Sequence, residues 1–218
     1  MPRILDILLS ILALLVLLPL FIPIVFILLL TGEHKVFYLQ TRVGYQNKDF
    51  KIIKFATMLS NSANMGSGSL TLKNDPRVLP FGSFLRKTKI NELPQILNII
   101  IGDLSIVGPR PQMQVDFEKY PDDVQEKIYN VRPGLTGIGS IIFRDEESLI
   151  SSAAENEDPH DFYKRIIAPY KGELEIWYHS HRSLFLDFQL IFMTAWAIVS
   201  PETRLYEKWF KDLPVRSF

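Results

Sequence analysis

Residues 86–111 read RKTKINELPQILNIIIGDLSIVGPRP, and the rest of the chain is interpreted outward from this stretch. Apolar residues recur at helical spacing from Ile90 to Ile101, with polar residues on the opposite face. Because Pro94 is compatible only with a first helical turn, the sequence predicts a helix that begins near Asn91 and ends at Gly102. That start would place Asn91 where free N–H groups and the helix dipole favour phosphate.

The stretch ends in Gly108-Pro109-Arg110-Pro111. Two prolines on either side of one arginine stiffen the backbone and restrict where the guanidinium can point. Arginine is suited to bidentate binding of phosphate. Taken alone, however, the motif is more typical of a rigid turn that carries a solvent-exposed arginine.

Toward the amino terminus, two β-prone runs at residues 36–39 and 50–55 flank a turn-rich segment at residues 44–48. This pattern predicts a β-hairpin. Residues 61–69 are rich in Ser, Asn and Gly and are predicted to form a loop.

Farther back, residues 7–31 contain no charged side chain over 25 positions, which is long enough for a helix to cross a bilayer. No A-x-A-like site follows, so a cleavable signal peptide is disfavoured. Pro19 and Pro23 each favour a kink in this helix. Residue chemistry alone favours a kinked single-pass anchor. Basic residues on both flanks leave a re-entrant helix with two cytoplasmic ends open.

Toward the carboxyl terminus, residues 122–130 predict a helix, residues 132–137 a turn, and residues 138–143 a β-prone run. The acidic cluster Asp145-Glu146-Glu147 follows, but consecutive carboxylates rarely converge on one metal ion. A solvated helix start is the simpler interpretation of this cluster.

Two further helices are predicted at residues 170–183 and 184–199, both amphipathic or strongly apolar. Their aromatic residues suit the interface of a membrane, and ordinary core packing is the alternative.

Composition restricts the classes of function. Lys+Arg and Asp+Glu both number 24, so charge gives no indication of a nucleic-acid partner and we expect none. The absence of cysteine excludes disulfides, thiolate zinc sites and cysteine nucleophiles. A chain of 218 residues is long enough for one domain with appendages.

The ordered set of motifs resembles the bacterial sugar transferases, the monotopic phosphoglycosyl transferases. The resemblance covers nearly the whole chain, which makes it far more specific than any single short motif. Beside residues 86–111, the matching motifs are Val36-Phe37-Tyr38, Gln40, Arg42-Val43-Gly44, Phe50-Lys51, Lys54-Phe55, Thr57-Met58, Asp75-Pro76-Arg77 and Arg132-Pro133-Gly134-Leu135-Thr136-Gly137.

For the fold, the resemblance implies an α/β (α+β) class: a small membrane-associated catalytic domain with an N-terminal re-entrant helix and interfacial amphipathic helices. The expected organisation is a re-entrant (or spanning) helix at residues 1–32, broken at Pro19 and Pro23, and a cytoplasmic sugar transferase domain at residues 33–200. A C-terminal interfacial tail would occupy residues 201–218. The expected location is the cytoplasmic face of the bacterial inner membrane.

For the function, the resemblance implies transfer of a sugar phosphate from a UDP-sugar to undecaprenyl phosphate with Mg²⁺ as cofactor. In the family, an aspartate attacks the β-phosphate, UMP leaves, and the polyprenyl phosphate then attacks the phosphosugar–enzyme intermediate. The family's aspartate position is Asn91 here, followed by Glu92. A neutral amide is a poor nucleophile and a weaker Mg²⁺ ligand than a carboxylate.

Asn91 leaves four interpretations open. In the first, Glu92 is the nucleophile; in the second, the acceptor phosphate attacks the donor directly. In the third, the position was changed deliberately to trap substrate, and in the fourth, the chain is an inactive relative. The last would act as a membrane scaffold or lipid-binding partner in the same pathway. Other departures, such as Leu18-Pro19 and Lys54-Phe55-Ala56, accompany an otherwise intact signature. We therefore expect an active transferase from a distinct branch.

The expected site follows from these assignments. Glu92 and Asn91 would be catalytic, with Asn91 orienting a phosphate or water, and Glu92 and Asp145 would hold Mg²⁺. The expected partners are a UDP-sugar, undecaprenyl phosphate and membrane lipid, with a homodimer left open. The expected phosphate-binding residues are Arg77, Arg86, Arg110, Arg132 and Arg144.

Overall fold

The computed structural model describes residues 1–66, 68–200, 204–216 and 218, and it is rich in helices with two small sheets. The elements are α1 (Arg3–Leu30), β1 (Phe37–Val43), β2 (Asp49–Phe55), α2 (Pro80–Lys87), α3 (Gln95–Ile101), β3 (Ser105–Val107), α4 (Gln114–Phe117), α5 (Asp122–Lys127), β4 (Gly134–Thr136), α6 (Ile138–Ile142), α7 (Glu146–Ala153), α8 (Pro159–Phe162), α9 (Ala168–His181), α10 (Leu184–Val199) and α11 (Leu205–Trp209). Short 3₁₀ turns occur at Tyr45–Asn47, Ser62–Asn64 and Ile90–Glu92, and a π-helical turn at Tyr163–Ile167 precedes α9.

The predicted hairpin is confirmed. Strands β1 and β2 pair antiparallel, with Phe37 opposite Phe55 and Val43 opposite Asp49. Their connection is a 3₁₀ turn in which Gln46 and Asn47 both have positive φ angles, which lets the chain reverse sharply. The predicted loop at residues 61–69 contains only a short 3₁₀ turn among its described residues.

The central stretch forms a helix later than predicted. Helix α3 begins at Gln95, whereas the sequence predicted a start near Asn91. Lys89 has a left-handed conformation (φ 60°) and starts a separate 3₁₀ turn, and Pro94 then occupies the N-cap of α3. Asn91 therefore lies in a tight turn just before the helix. Gly102 ends α3 at φ 118°, as predicted.

Two local predictions on the carboxyl side were wrong. Residues 132–137, predicted as a turn, contain β4, which pairs in parallel with β3. The two strands are so close here that a Cβ added to Gly134 would lie 2.1 Å from the backbone nitrogen of Gly108. In place of the β-prone run predicted at residues 138–143, residues 138–142 form helix α6. Ile138 is fully buried in the main core, so tertiary packing overrides the β-propensity of this segment.

The main core lies against helices α9 and α10, whose prediction is confirmed. Leu174 and Leu190 are fully buried in it. The predicted helix at residues 122–130 is confirmed as the shorter α5. Residues 201–203 and 217 of the predicted C-terminal tail lie outside the described residues. Within the tail, the buried Phe210 packs against Trp177.

Helix α1 runs continuously through Pro19 and Pro23, where the sequence predicted a break. A proline removes one hydrogen bond but is tolerated inside long apolar helices. By length and composition, α1 could cross a membrane. Most of its large apolar side chains are exposed.

Both ends of α1 contact the rest of the fold. At the amino end, the Asp6 carboxylate accepts hydrogen bonds from the Ser105 hydroxyl at 2.9 Å and from the Ile106 amide at 2.9 Å. At the other end, the buried Ile24 and Leu28 pack in one apolar cluster with β2 and α2. Its two ends are therefore fixed relative to one another.

Candidate functional site

A cavity of about 990 Å³ lies between the hairpin, the turn before α3, the α6–α7 region, and helices α1 and α10. One part of its wall is apolar, with Ala13 and Leu17 from α1 and Ile191, Ala195 and Ile198 from α10. The charged residues of the wall are Arg42, Lys54, Arg77, Arg86, Lys89, Glu92, Arg110, Asp116, Arg144, Glu146, Glu147 and Lys171.

The Glu92 carboxylate is the centre of the charged wall. Arg110 binds it in a bidentate manner, with Nη2 to Oε1 at 2.7 Å and Nη1 to Oε2 at 3.2 Å. Lys54 Nζ lies 3.7 Å from Oε1. Burial would raise the pKa of this carboxyl, but the charges of Arg110 and Lys54 outweigh it and hold the pKa well below the ordinary value. Glu92 is therefore ionised at neutral pH.

The cations around Glu92 respond differently to burial. The neighbouring Glu92 carboxylate raises the pKa of Arg110, whose charge is permanent. Burial lowers the pKa of Lys54 to about 7, with attraction from Glu92 only partly opposing it. Lys54 can therefore gain or lose its proton near neutral pH, and it would be held charged by an anionic ligand.

Asn91 lies next to this cluster and lines the cavity, although only 5% of it is exposed. Its Oδ1 atom is buried and has no hydrogen-bond partner among the described residues. An unsatisfied buried acceptor costs free energy. A ligand that donates a hydrogen bond, or a hard cation, would satisfy this atom.

The start of α7 is attached to the cavity wall by two ion pairs. The Glu147 carboxylate pairs with Arg86 of α2. The Glu146 carboxylate accepts two hydrogen bonds from Lys171 of α9, at 2.7 and 2.8 Å. Glu146 and Glu147 thus point to different partners, in agreement with the expectation that consecutive carboxylates do not converge.

The structure brings six of the expected site residues to the cavity: Arg77, Arg86, Asn91, Glu92, Arg110 and Arg144. Two others lie elsewhere. Arg132 is exposed, donates to the Gly102 carbonyl at 3.0 Å and lies over the Tyr45 ring. Asp145 is exposed, does not line the cavity, and accepts a hydrogen bond from the Ser148 hydroxyl.

Arg77 lines the cavity, but its guanidinium has a structural role. It forms an ion pair with Asp75 at 2.6 Å. It also donates to the carbonyl oxygens of Ser62, Met65, Gly68 and Leu70, at 2.7–2.8 Å. These contacts engage the guanidinium and let Arg77 shape the loop at residues 61–70, and its expected phosphate-binding role stays a prediction.

Arg42 and Lys54 were not among the expected site residues, yet the hairpin brings both to the cavity. Tyr38, Gln40 and Arg42 alternate along β1 and therefore share one face, and Lys54 pairs directly with Tyr38. All four line the cavity. The alternation of polar residues in this strand was a signal that the sequence offered.

The residues near Asn91 can be tested for their fit to Mg²⁺. No cluster of three or more His, Asp or Glu side chains with metal-site geometry occurs in the described part of the chain. Mg²⁺ commonly binds one or two protein oxygens and takes its remaining ligands from substrate phosphates and water. The orphaned Asn91 Oδ1 and the ionised Glu92 fit a metal held in that way, whereas the exposed Asp145 does not.

Fold and cavity together define a helix-rich α+β protein whose cation-lined cavity extends to the side of a long, exposed apolar helix. The chain belongs to the bacterial sugar transferase family, whose sequence pattern matches residues 1–201.

Three relatives illustrate this similarity. The exopolysaccharide production protein ExoY of Sinorhizobium fredii is 39% identical over 163 residues, which cover 68% of this chain and 72% of that protein. ExoY of Rhizobium meliloti is 32% identical over 207 residues, covering 88% and 83%. The UDP-N-acetylgalactosamine-undecaprenyl-phosphate N-acetylgalactosaminephosphotransferase of Aeromonas hydrophila is 31% identical over 197 residues. This last alignment covers 89% of the present chain but only 43% of the relative.

Proposed function

We propose that this protein is a phosphoglycosyl transferase. It moves a sugar 1-phosphate from a UDP-sugar to undecaprenyl phosphate and releases UMP. This reaction would be the first membrane step in the synthesis of an exopolysaccharide, O-antigen, capsule or glycoconjugate. Family membership and the names of the relatives support this class of reaction.

The observation that carries the proposal is one cavity with two unlike walls. Its charged wall, around Arg110 and Lys54, suits the phosphates of a nucleotide sugar. Its apolar wall runs along α1 and α10, where Leu17 and Ile198 lie. A polyprenyl phosphate combines one phosphate with a long apolar chain, so both of its parts have a matching wall.

The attachment of α1 supports a re-entrant arrangement in the membrane. Its first turn is anchored through Asp6, and its last turns pack on β2 and α2. A re-entrant helix would keep both ends on the side where they contact the rest of the fold, whereas a helix that crossed the bilayer would separate them. Exposed aromatic side chains on α10, including Phe188 and Trp196, suit the interfacial region of the same leaflet. We place the catalytic domain on the cytoplasmic face of the inner membrane.

In the reaction, Arg110 and Lys54 would neutralise the donor diphosphate. The diphosphate competes with Glu92 for Arg110 and so releases the carboxylate. We propose Glu92 as the nucleophile because it is ionised and adjacent to these cations, whereas Asn91 is a neutral amide. A bond forms between a Glu92 oxygen and the β-phosphorus while the bond from that phosphorus to UMP breaks.

In the second step, an oxygen of the acceptor phosphate attacks the same phosphorus, and the Glu92 carboxylate leaves unchanged. Asn91 would orient a water through its accepting Oδ1 or a phosphate oxygen through its donating amide hydrogens. Asn91 and Glu92 would also hold Mg²⁺, which neutralises charge on the transferring phosphate. Arg86 and Arg144 lie on the same wall and would bind phosphate oxygens.

UMP release tests this proposal. Protein in nanodiscs is incubated with Mg²⁺, undecaprenyl phosphate and a panel of UDP-sugars, with and without the lipid. Lipid-dependent turnover of one donor is the expected result, and one equivalent of UMP per enzyme without lipid is expected if Glu92 is the nucleophile. Multiple-turnover UMP release only with lipid, without that first equivalent, would favour direct attack by the acceptor.

Two variants test the role of Glu92 in this assay. Glu92→Gln should abolish turnover, and Glu157→Gln, which changes a partly exposed carboxylate paired with the exposed Arg165, should not. If the folded protein released no UMP from any donor, the transferase proposal would fail. The alternative, an inactive family member that acts as a membrane scaffold or lipid-binding partner, would then account for the intact fold.

A further inference from the structure

A second polar region of the cavity lies away from the Glu92 cluster, beside the loop at residues 61–70. Arg77 fixes this loop by binding four of its carbonyl oxygens, as described above. With its backbone held in this way, the loop places the Ser69 hydroxyl 3.1 Å from Asp116 Oδ1. Both Ser69 and Asp116 line the cavity.

Asp116 is only 5% exposed, yet one of its oxygens remains available. Its Oδ1 atom accepts from Ser69 and also from Lys119 Nζ, at 3.0 Å. Its Oδ2 atom has no hydrogen-bond partner among the residues that the structure describes. Because Asp116 lines the cavity, this oxygen can accept a hydrogen bond from a ligand there.

Lys119 balances the charge of Asp116 and is itself held in place. Its Nζ atom lies 2.9 Å from His160 Nδ1 and 5.1 Å from the centre of the Tyr163 ring. The pairing with Lys119 offsets part of the Asp116 charge, whereas cations predominate around Glu92. This end of the cavity would repel phosphate through the free Asp116 oxygen and would attract neutral hydroxyl groups, which donate hydrogen bonds.

We propose that Asp116, supported by Ser69 and Lys119, binds a vicinal diol of the nucleotide-sugar donor. A carboxylate oxygen can accept from two adjacent hydroxyl groups, an arrangement that both a pyranose ring and a ribose ring present. This inference rests on the proposed function, because it assigns a subsite for the same donor. It makes Asp116 a determinant of donor recognition that takes no part in the bond changes at phosphorus.

The test is donor binding by Asp116→Asn, which keeps the shape of the side chain and removes its charge. Affinities of the protein in nanodiscs for a UDP-sugar, UDP and UMP are measured by calorimetry, with thermal unfolding as a check on folding. Ser69→Ala provides a milder second variant, since it removes one hydroxyl and leaves the Asp116–Lys119 pair intact. Asp123→Asn is the matched control, because Asp123 is exposed on α5 and does not line the cavity.

Loss of a hydrogen bond to a charged acceptor should weaken UDP-sugar binding about tenfold to a hundredfold in Asp116→Asn, with a smaller loss in Ser69→Ala. If the pyranose provides the diol, UDP and UMP affinities stay at the wild-type level; if the ribose does, they fall in parallel. Wild-type affinity of both variants for all three ligands would overturn the subsite while leaving the transferase proposal intact. Failure of the wild type to bind any nucleotide sugar would refute both.

Discussion

Replacement of Glu92 by glutamine tests the charged wall of the cavity most directly, because it preserves shape and removes the charge between Arg110 and Lys54. Two hydrogen bonds from Arg110, at 2.7 and 3.2 Å, lose their ionised acceptor. Hydrogen bonds to charged groups contribute about 1.5–3 kcal/mol. The side chains of Glu92 and Arg110 are 16% and 31% exposed, so solvent screening favours the lower part of this range, about 1.5–2 kcal/mol.

For a chain of this size, a loss of 1 kcal/mol lowers Tm by roughly 2–4 °C, so we expect a decrease of about 3–8 °C at pH 7.5. The decrease should be larger at pH 6 than at pH 8.5. Burial lowers the pKa of Lys54 to about 7, so Lys54 is charged at pH 6 and the variant leaves that charge without its partner. At pH 8.5 Lys54 is already neutral in the wild type, and only the contacts of Arg110 are lost.

The assay is thermal unfolding of the protein in detergent at the three pH values. Glu157→Gln serves as the control because it breaks an Arg–carboxylate pair whose arginine is 61% exposed. Exposed pairs contribute about 0.2–1 kcal/mol, so its Tm should change less than that of Glu92→Gln and without the same pH dependence. Equal Tm values for Glu92→Gln and the wild type at every pH would refute the inference that this carboxylate holds the two cations.

Three further perturbations test other parts of the structure. Arg77→Met leaves the buried Asp75 carboxylate unpaired and should destabilise the fold by about 3–5 kcal/mol. The loop at residues 61–70 should then become sensitive to protease even without ligand. Unchanged stability with a raised KM would instead indicate a phosphate-binding role. Burial raises the pKa of Glu175 to about 8 from 4.5, so wild-type stability should fall relative to Glu175→Gln as the pH rises from about 4.5 to about 8. A pH-independent difference in urea unfolding between these two proteins would contradict that expectation. Asp6→Ala leaves the Ser105 hydroxyl and the Ile106 amide without their acceptor. The free energy of unfolding measured in urea should fall by about 1–3 kcal/mol. An unchanged midpoint would show that the first turn of α1 is not anchored there.

Periodicity predicted the elements whose own side chains determine their conformation. The hairpin was predicted from two β-prone runs around a turn-rich segment and helices α9 and α10 from helical spacing, and the structure confirms them. Residues 138–143 were predicted incorrectly because their β-branched residues favour a strand locally, while contacts with α9 and α10 decide the outcome. Such contacts join segments distant in sequence and leave no local pattern.

For the candidate site, the motif around Glu92 and Arg110 identified residues that the structure brings into direct contact. The role of Arg77 could not be predicted, because its partners are carbonyl oxygens and a backbone carbonyl is not encoded by residue type. Asp116 depends on a similar long-range event, the placement of a loop 47 residues away in sequence. Charged residues can thus be located by motif, but whether their charge is free for a ligand depends on the folded chain.

The contacts of both ends of α1 with the rest of the fold have a consequence for the proposed membrane arrangement. In the arrangement proposed here, the charged residues before and after the apolar stretch stay on the side where the chain is synthesised. No hydrophilic segment then has to pass through the hydrocarbon layer, and only the apolar middle of the helix has to enter it. Insertion after the core has folded would be energetically accessible, and in such a mechanism the folded core would itself determine the topology.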